Sequence, residues 1–211
     1  MLEVSGCRFS LETLPHLPAF QRANLSLALA AALELGASAE ALQAALPSLR
    51  SPAHRAEVHH LAERRVIDNG VCTTPDAALE VACEQPPGST ILLGGKRKTG
   101  LPFTALGQRL AERGDRLHLF GADRESLAEE LRAAGCNPTE HPTFEAAIAA
   151  AVEDTPPGAT LLFTPACASF DTHRNFEDRA QAFLALVRTA LQAAPDPHLG
   201  QPAAGTNETK A

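Results

Sequence analysis

The chain has no tryptophan, no tyrosine and a single methionine; nine phenylalanines are its only aromatics in 211 residues. Its core must therefore be mostly leucine, alanine and valine. It also lacks an excess of positive charge. Twenty-five acidic side chains against 18 basic ones leave a net charge of −7. Phosphate backbones attract basic surfaces, so no nucleic-acid partner is expected. No apolar run reaches the roughly 18 residues of a membrane helix, so no membrane partner is expected either. The first residues carry neither the charged region nor the apolar block of a secretion signal, and a cytoplasmic location is the expectation. Five cysteines (7, 72, 83, 136 and 167) are odd in number and form no CxxC pair. That usage fits small buried thiols in a reducing compartment, not a disulfide framework. Nowhere does G-x-x-x-x-G-K-[ST] fit, so the sequence holds no P-loop to cradle a triphosphate.

What is present is a normal globular composition, 45% hydrophobic, and enough length for one α/β domain with an appendage. The first section, 1–50, reads as a short hairpin turning at Ser5–Gly6, then a helix over Gln21–Leu35 ending at Gly36. A second helix, Ala39–Leu46, follows a Ser38 cap and stops at Pro47. These pieces bury too little apolar surface to stand alone and read as the end of something larger. Pro47–Arg64 is polar, basic and rich in histidine, and reads as a linker. The main section, 51–193, alternates apolar runs with helical stretches. Val66–Ile67, Thr90–Leu93, Arg116–Phe120 and Thr160–Phe163 are the strand candidates. Helices are expected at Pro75–Cys83, Phe103–Arg113, Arg124–Ala134, Phe144–Val152 and Phe176–Gln192. Continuous apolar strands alternating with helices imply a Rossmann-like, mostly parallel sheet covered by helices on both faces. QPPGSTILL and TPPGATLLF repeat one type of connection: helix end, Pro-Pro-Gly turn, strand. Residues 194–211 have no periodicity and much proline, glycine and polar residue, so a disordered tail is expected.

Three loops carry chemistry. GGKRKTG, Gly94–Gly100, joins permissive glycines to three cations after a strand. By itself it is either a solvated basic turn or an anion-binding loop. VIDNGVCTTPDA, Val66–Ala77, is strand, loop and helix start, with Thr73 and Thr74 as caps and Pro75 in the first turn. TPACASFDTHRNFEDRAQAF, Thr164–Phe183, is a strand end, a small-residue loop and an amphipathic helix. Strand ends feeding such loops are where open α/β sheets bind ligands. Ser169 offers a hydroxyl there, with Phe170 and Phe176 as walls. His59 and His60 are adjacent and diverge on a helix, whereas a metal pair needs one face; no metal site is expected.

Taken together, these loops resemble those of the D-glutamate-adding branch of the Mur ligase family. Thr164–Ala180 is similar to its "SPACASFD…NFExRG" signature, and GGKRK to its "GGxxK". Val66–Ala77 is similar to "INDSKATNPDA", with the family's Asp falling on Asn69, its Ser on Gly70 and its Lys on Val71. His54-Arg55 is similar to the "HR" that opens the C-terminal domain. Ala19–Gly36 is similar to "GxHNxxNxLAAxAxAxxxG", with Asn24 matching the second Asn and Phe20 and Gln21 replacing the His and first Asn. Phe20 cannot coordinate a cation.

The resemblance covers only the end of the family's central ATPase domain (1–50) and its C-terminal domain (51–193). It implies that Thr73, Lys98 and Ser169 hold the carboxylates of D-glutamate and that Phe170 and Phe176 shape the pocket. It implies that Asn24, Arg55 and a weakened Asn69 face ATP. ATP and Mg would then be used only together with a missing ATPase half, which would also bring UDP-N-acetylmuramoyl-L-alanine. No residue of this part is expected to be catalytic, since its share is positioning. A half-enzyme acting with a separate N-terminal and central-domain chain, a non-catalytic binding or regulatory relative, and a free-standing domain for another small anion all stay open.

Overall fold

The computed structural model describes residues 1–12, 14, 17 and 19–193; the tail expected at 194–211 lies outside them. Strands β1 (Leu2–Val4) and β2 (Cys7–Phe9) form an antiparallel hairpin through Ser5 and Gly6, both at positive φ. Helix α1 (Ala19–Glu34) and helix α2 (Ala39–Ala45) pack on it around Val4, Phe9, Leu29 and Leu46. The Ser38 hydroxyl accepts the Ala41 N–H at 3.2 Å and starts α2 as the sequence predicts.

The rest of the chain builds a six-stranded sheet from β3 (Glu57–Leu61), β4 (Arg64–Asp68), β5 (Thr90–Gly94), β6 (Arg116–Phe120), β7 (Thr139–Glu140) and β8 (Thr160–Ala166). Its order is β3-β4-β8-β5-β6-β7, parallel except for β3. Strands alternate with α3 (Pro75–Cys83), α4 (Thr104–Arg113), α5 (Arg124–Ala133), α6 (Phe144–Glu153) and α7 (Phe176–Ala193). Side chains alternate across the sheet. Ile67, Ile91, Leu93, Leu117, Leu119 and Leu162 meet α3, α4 and α5 on one face. Val66, Leu92, Phe120, Leu161 and Phe163 meet α6 and α7 on the other.

Handedness explains that division. The crossovers through α3, α4 and α5 advance across the sheet in one direction, and right-handed connections put all three helices on one face. The chain then returns from β7 to the middle of the sheet. The same hand places α6 on the opposite face, and α7 follows β8 there.

Two strands depart from the sequence reading. Pro47–Arg64 is not a bare linker, because Glu57–Leu61 within it pairs antiparallel with β4. Strand β3 is an edge with polar residues, and its turn, Ala62–Glu63, has no glycine although both φ values are positive, 44° and 60°. Favourable turn chemistry is therefore missing where the backbone requires it. Strand β7 is only two residues long. His59 and His60 thus lie on a strand rather than a helix, where neighbours still point to opposite faces.

Candidate functional site

Chemistry gathers at the carboxyl ends of β4, β8, β5 and β6. Strand β8 sends its chain to one face of the sheet, while β4 and β5 on either side send theirs to the other. Such a reversal opens a crevice, and here it flanks β8 on both sides.

Gly94 and Gly95 make the loop after β5 possible. Their φ values are 139° and 125°. A Cβ on Gly94 would lie 2.0 Å from the Phe120 carbonyl oxygen, and one on Gly95 would lie 2.4 Å from that of Ala168. Only glycine admits both the dihedrals and the contacts. The next residue joins two loops: Lys96 N–H donates to Ala168 O at 2.9 Å, and Ala168 N–H donates back to Lys96 O at 2.8 Å.

The three cations of this loop then separate in role. Lys96 Nζ lies 3.6 Å from Asp123 Oδ1. Arg97 pairs with Glu130 and stacks over Phe103 at 4.9 Å. Burial alone would raise the Glu130 carboxyl, but the Phe103 N–H and Arg97 hold it below its ordinary range. Lys98 is exposed; its Nζ donates to Thr73 Oγ1 at 3.0 Å, and among the described residues it has no carboxylate partner. Lys98 borders a cavity of about 700 Å³ with Arg97, Leu101 and Asp123. Thr73 borders a second, of about 340 Å³. The Lys98–Thr73 bond therefore stands between them.

The smaller cavity gathers Asn24, Arg55 and Asn69 with Phe20, Val71 and Val81. Arg55 Nε is buried there without a partner among the described residues. Asn69 also bonds within the fold. It is 3% exposed; its Oδ1 accepts the Ala56 N–H at 3.3 Å and its Nδ2 donates to Thr164 Oγ1 at 3.0 Å. Its amide is thus committed to holding β4 against β8. Thr73 does so too. Thr74 is the N-cap of α3, without a side-chain cap bond, and the Thr73 hydroxyl meets Lys98 instead.

Ser169 is 2% exposed, and its carbonyl accepts the N–H groups of Thr172 and His173 at 3.2 and 2.9 Å. Phe170 is 76% exposed, whereas Phe176 is half-buried at the start of α7. Three groups escaped the sequence reading. Asp171 Oδ2 accepts the Ala122 N–H at 2.9 Å and ties the loop after β8 to the loop after β6. His54 Nδ1 lies 2.6 Å from Asp68 Oδ2, and with Glu57 these offer three ligand atoms within 4.8 Å of one another. Burial raises the Asp68 carboxyl, opposed by its bonds to His54 and the Gly70 N–H. Arg179 is wholly buried in α7, three residues beyond Phe176 and inside the quoted signature. Its position in that motif was the available signal.

Residues 54–167, more than half of the chain, match the family model described as "Mur ligase, glutamate ligase domain". The chain belongs to the Mur ligase family. Relatives named UDP-N-acetylmuramoylalanine–D-glutamate ligase include one from Solibacter usitatus, 35% identical over 177 residues, covering 82% of this chain and 39% of that protein. Another, from Synechococcus, is 36% identical over 179 residues, covering 82% and 38%. This Mur ligase chain thus spans about two-fifths of the length of these relatives. Among solved structures, MurF from Acinetobacter baumannii superposes with a TM-score of 0.62 at 20% identity, covering 83% of this chain and 39% of that one. MurF from Thermotoga maritima in complex with ADP gives 0.57 at 17%, covering 90% and 41%. At these identities the superpositions establish the shared α/β fold of the Mur ligases. No helix among the described residues is long and apolar enough to cross a membrane.

Proposed function

We propose that this Mur ligase chain positions D-glutamate for an ATP-dependent ligase of peptidoglycan precursor synthesis. The observation that carries the reading is Lys98, an ammonium without a carboxylate partner among the described residues, held by Thr73 at the mouth of the crevice. A dicarboxylic amino acid supplies the missing counter-charge, through one carboxylate on Lys98 and another at the loop that carries Ser169. The names of the relatives support D-glutamate and a UDP-N-acetylmuramoylalanine acceptor.

The activated acceptor requires a triphosphate site that this sequence lacks, so the reading includes an ATPase half, on a separate chain or a longer one. The residues present fit one end of a nucleotide. Phe20, Val71 and Val81 offer apolar walls, Asn24 a hydrogen-bonding edge and Arg55 an unpartnered buried Nε. ATP would supply the driving force for amide formation; this chain's own residues would orient the amino acid and help exclude water. Phe20 and Gln21 stand where the family carries His and Asn; Phe20 gives Mg no ligand, while Gln21 keeps an amide oxygen. Leu27 on α1 and Leu35 in the turn just after it are 71% and 89% exposed, which supports a further neighbour over this end of the molecule.

Two measurements test this reading. Purified chain alone should release no phosphate from ATP above background; release that is lost in Arg55→Ala would refute the division of labour. D-glutamate at millimolar concentration should perturb NMR signals near Lys98 and Ser169, L-glutamate should do so less, and Lys98→Ala should abolish the effect. Millimolar binding corresponds to only about −4 kcal/mol, as suits a half-site. Identical responses to both enantiomers would favour a non-ligase role.

A further inference from the structure

Arg179 is the largest fully buried side chain among the described residues, yet it carries a charge. Its Nη1 donates to Ala168 O at 3.1 Å and reaches Gly94 O at 3.4 Å, while its Nη2 donates to Cys167 O at 2.9 Å. Among the described residues its Nε has no partner. Among the described residues no carboxylate lies within ion-pair distance of it. Burial pulls its pKa down to about 10, so it stays protonated at neutral pH. Beyond these carbonyls the guanidinium has only the Phe163 ring, 5.9 Å away; a buried cation so held is costly, and an apolar side chain of similar volume would be the default for stability.

The three carbonyls belong to the last residue of β5 and the first two residues after β8. These are the roots of the two loops that carry Lys98 and Ser169. Gly95 completes the arrangement: a Cβ there would sit 2.8 Å from Nη1 of Arg179 as well as against Ala168 O. The double glycine and the arginine therefore form one unit, in which the missing side chain is the space the guanidinium occupies.

We propose that Arg179 is the positioning residue of the amino-acid site, latching the loop after β5 to the loop after β8. Arg179 reaches no ligand itself. It acts through Gly94, Cys167 and Ala168, which set where Lys98 and Ser169 stand. The part concerning D-glutamate rests on the reading above; the latch does not.

The test compares the full chain with Arg179→Met and Arg179→Lys by amide hydrogen exchange and by D-glutamate titration. Methionine keeps a long apolar stem and removes every donor; lysine keeps the charge and part of the bonding. In Arg179→Met the Lys96 and Ala168 amides should lose about ten-fold or more in protection, while Leu92 and Leu162 in the strand centres keep theirs. The apparent Kd for D-glutamate should rise by a similar factor, and Arg179→Lys should restore part of both. Protection that is unchanged, or that falls equally across the whole sheet, would overturn the latch. Should Arg179→Met not fold, Arg179→Lys decides, by a smaller loss that is either selective for the two loops or uniform. Should D-glutamate fail to bind the parent chain, the amino-acid reading falls while the exchange comparison still judges the latch.

Discussion

At Gly70 a Cβ would lie 2.6 Å from the Cβ of Ala180 and 3.3 Å from the Phe163 ring. The D-glutamate-adding signature places Ser and Gly at these two positions, so this chain carries the side chain on the opposite side of the same contact. The two positions form one packing unit, because interiors are too dense to take a second side chain there. Gly70→Ser alone should destabilise by about 1–3 kcal/mol through overpacking. Adding Ala180→Gly should recover most of that loss, a coupling of at least about 0.5 kcal/mol. Urea denaturation of the two single variants and the double variant measures it; strict additivity would show that the sites are independent. The same contact explains why resemblance by residue alone is incomplete: the loss at 70 is legible only beside the gain at 180.

Among the elements, the central strands were legible because β5 and β8 are buried at every residue and carry the apolar runs Ile91–Leu93 and Leu161–Phe163, with shorter apolar stretches in β4 and β6. The helices were legible from their caps and turns. Strand β3 was not, since an edge strand has few apolar residues and its turn uses Ala62 and Glu63 at positive φ. Replacing these by Asn and Gly should stabilise the β3–β4 hairpin by about 0.5–1 kcal/mol, because that pair adopts the required dihedrals without strain. A thermal midpoint that fails to rise would show that the turn is held by contacts outside the hairpin. The loops divide in the same way. Lys98 and Thr73 could be picked out because each sits in a short local motif. The fate of Asn69 could not, because its partners, Ala56 and Thr164, are 13 and 95 residues away. Phe170 is aromatic and lies in a motif, yet its exposure depends on how the loop after β8 leaves the sheet.

Across the whole molecule, a cluster far from the crevice sets the response to acid. His118 Nδ1 lies 3.0 Å from His141 Nε2, and His118 Nε2 lies 3.1 Å from Asp154 Oδ2. Burial, then His141, lowers the His118 pKa below its ordinary 6.5. The folded chain therefore favours neutral imidazole, while the unfolded chain takes up its proton as pH falls through 6.5. Stability from this group is full above that value and is lost as pH drops toward the folded pKa. The thermal midpoint should fall between pH 7.5 and pH 5, and His118→Leu should flatten the fall; an unchanged slope would remove His118 as its source. The position of β8 has a different kind of consequence. It is the last strand to be made, yet it lies between β4 and β5, and its ladder joins Thr160 to Arg65. On a ribosome that has not yet reached Thr160, the β3–β4 hairpin and the β5-β6-β7 fragment have no strand between them, and are joined through α3, packed against α4. Each keeps an open inner edge that any other nascent strand can occupy. The sheet closes only when almost all of the described chain has emerged, so these two inner edges stay open longer than any other part of the sheet.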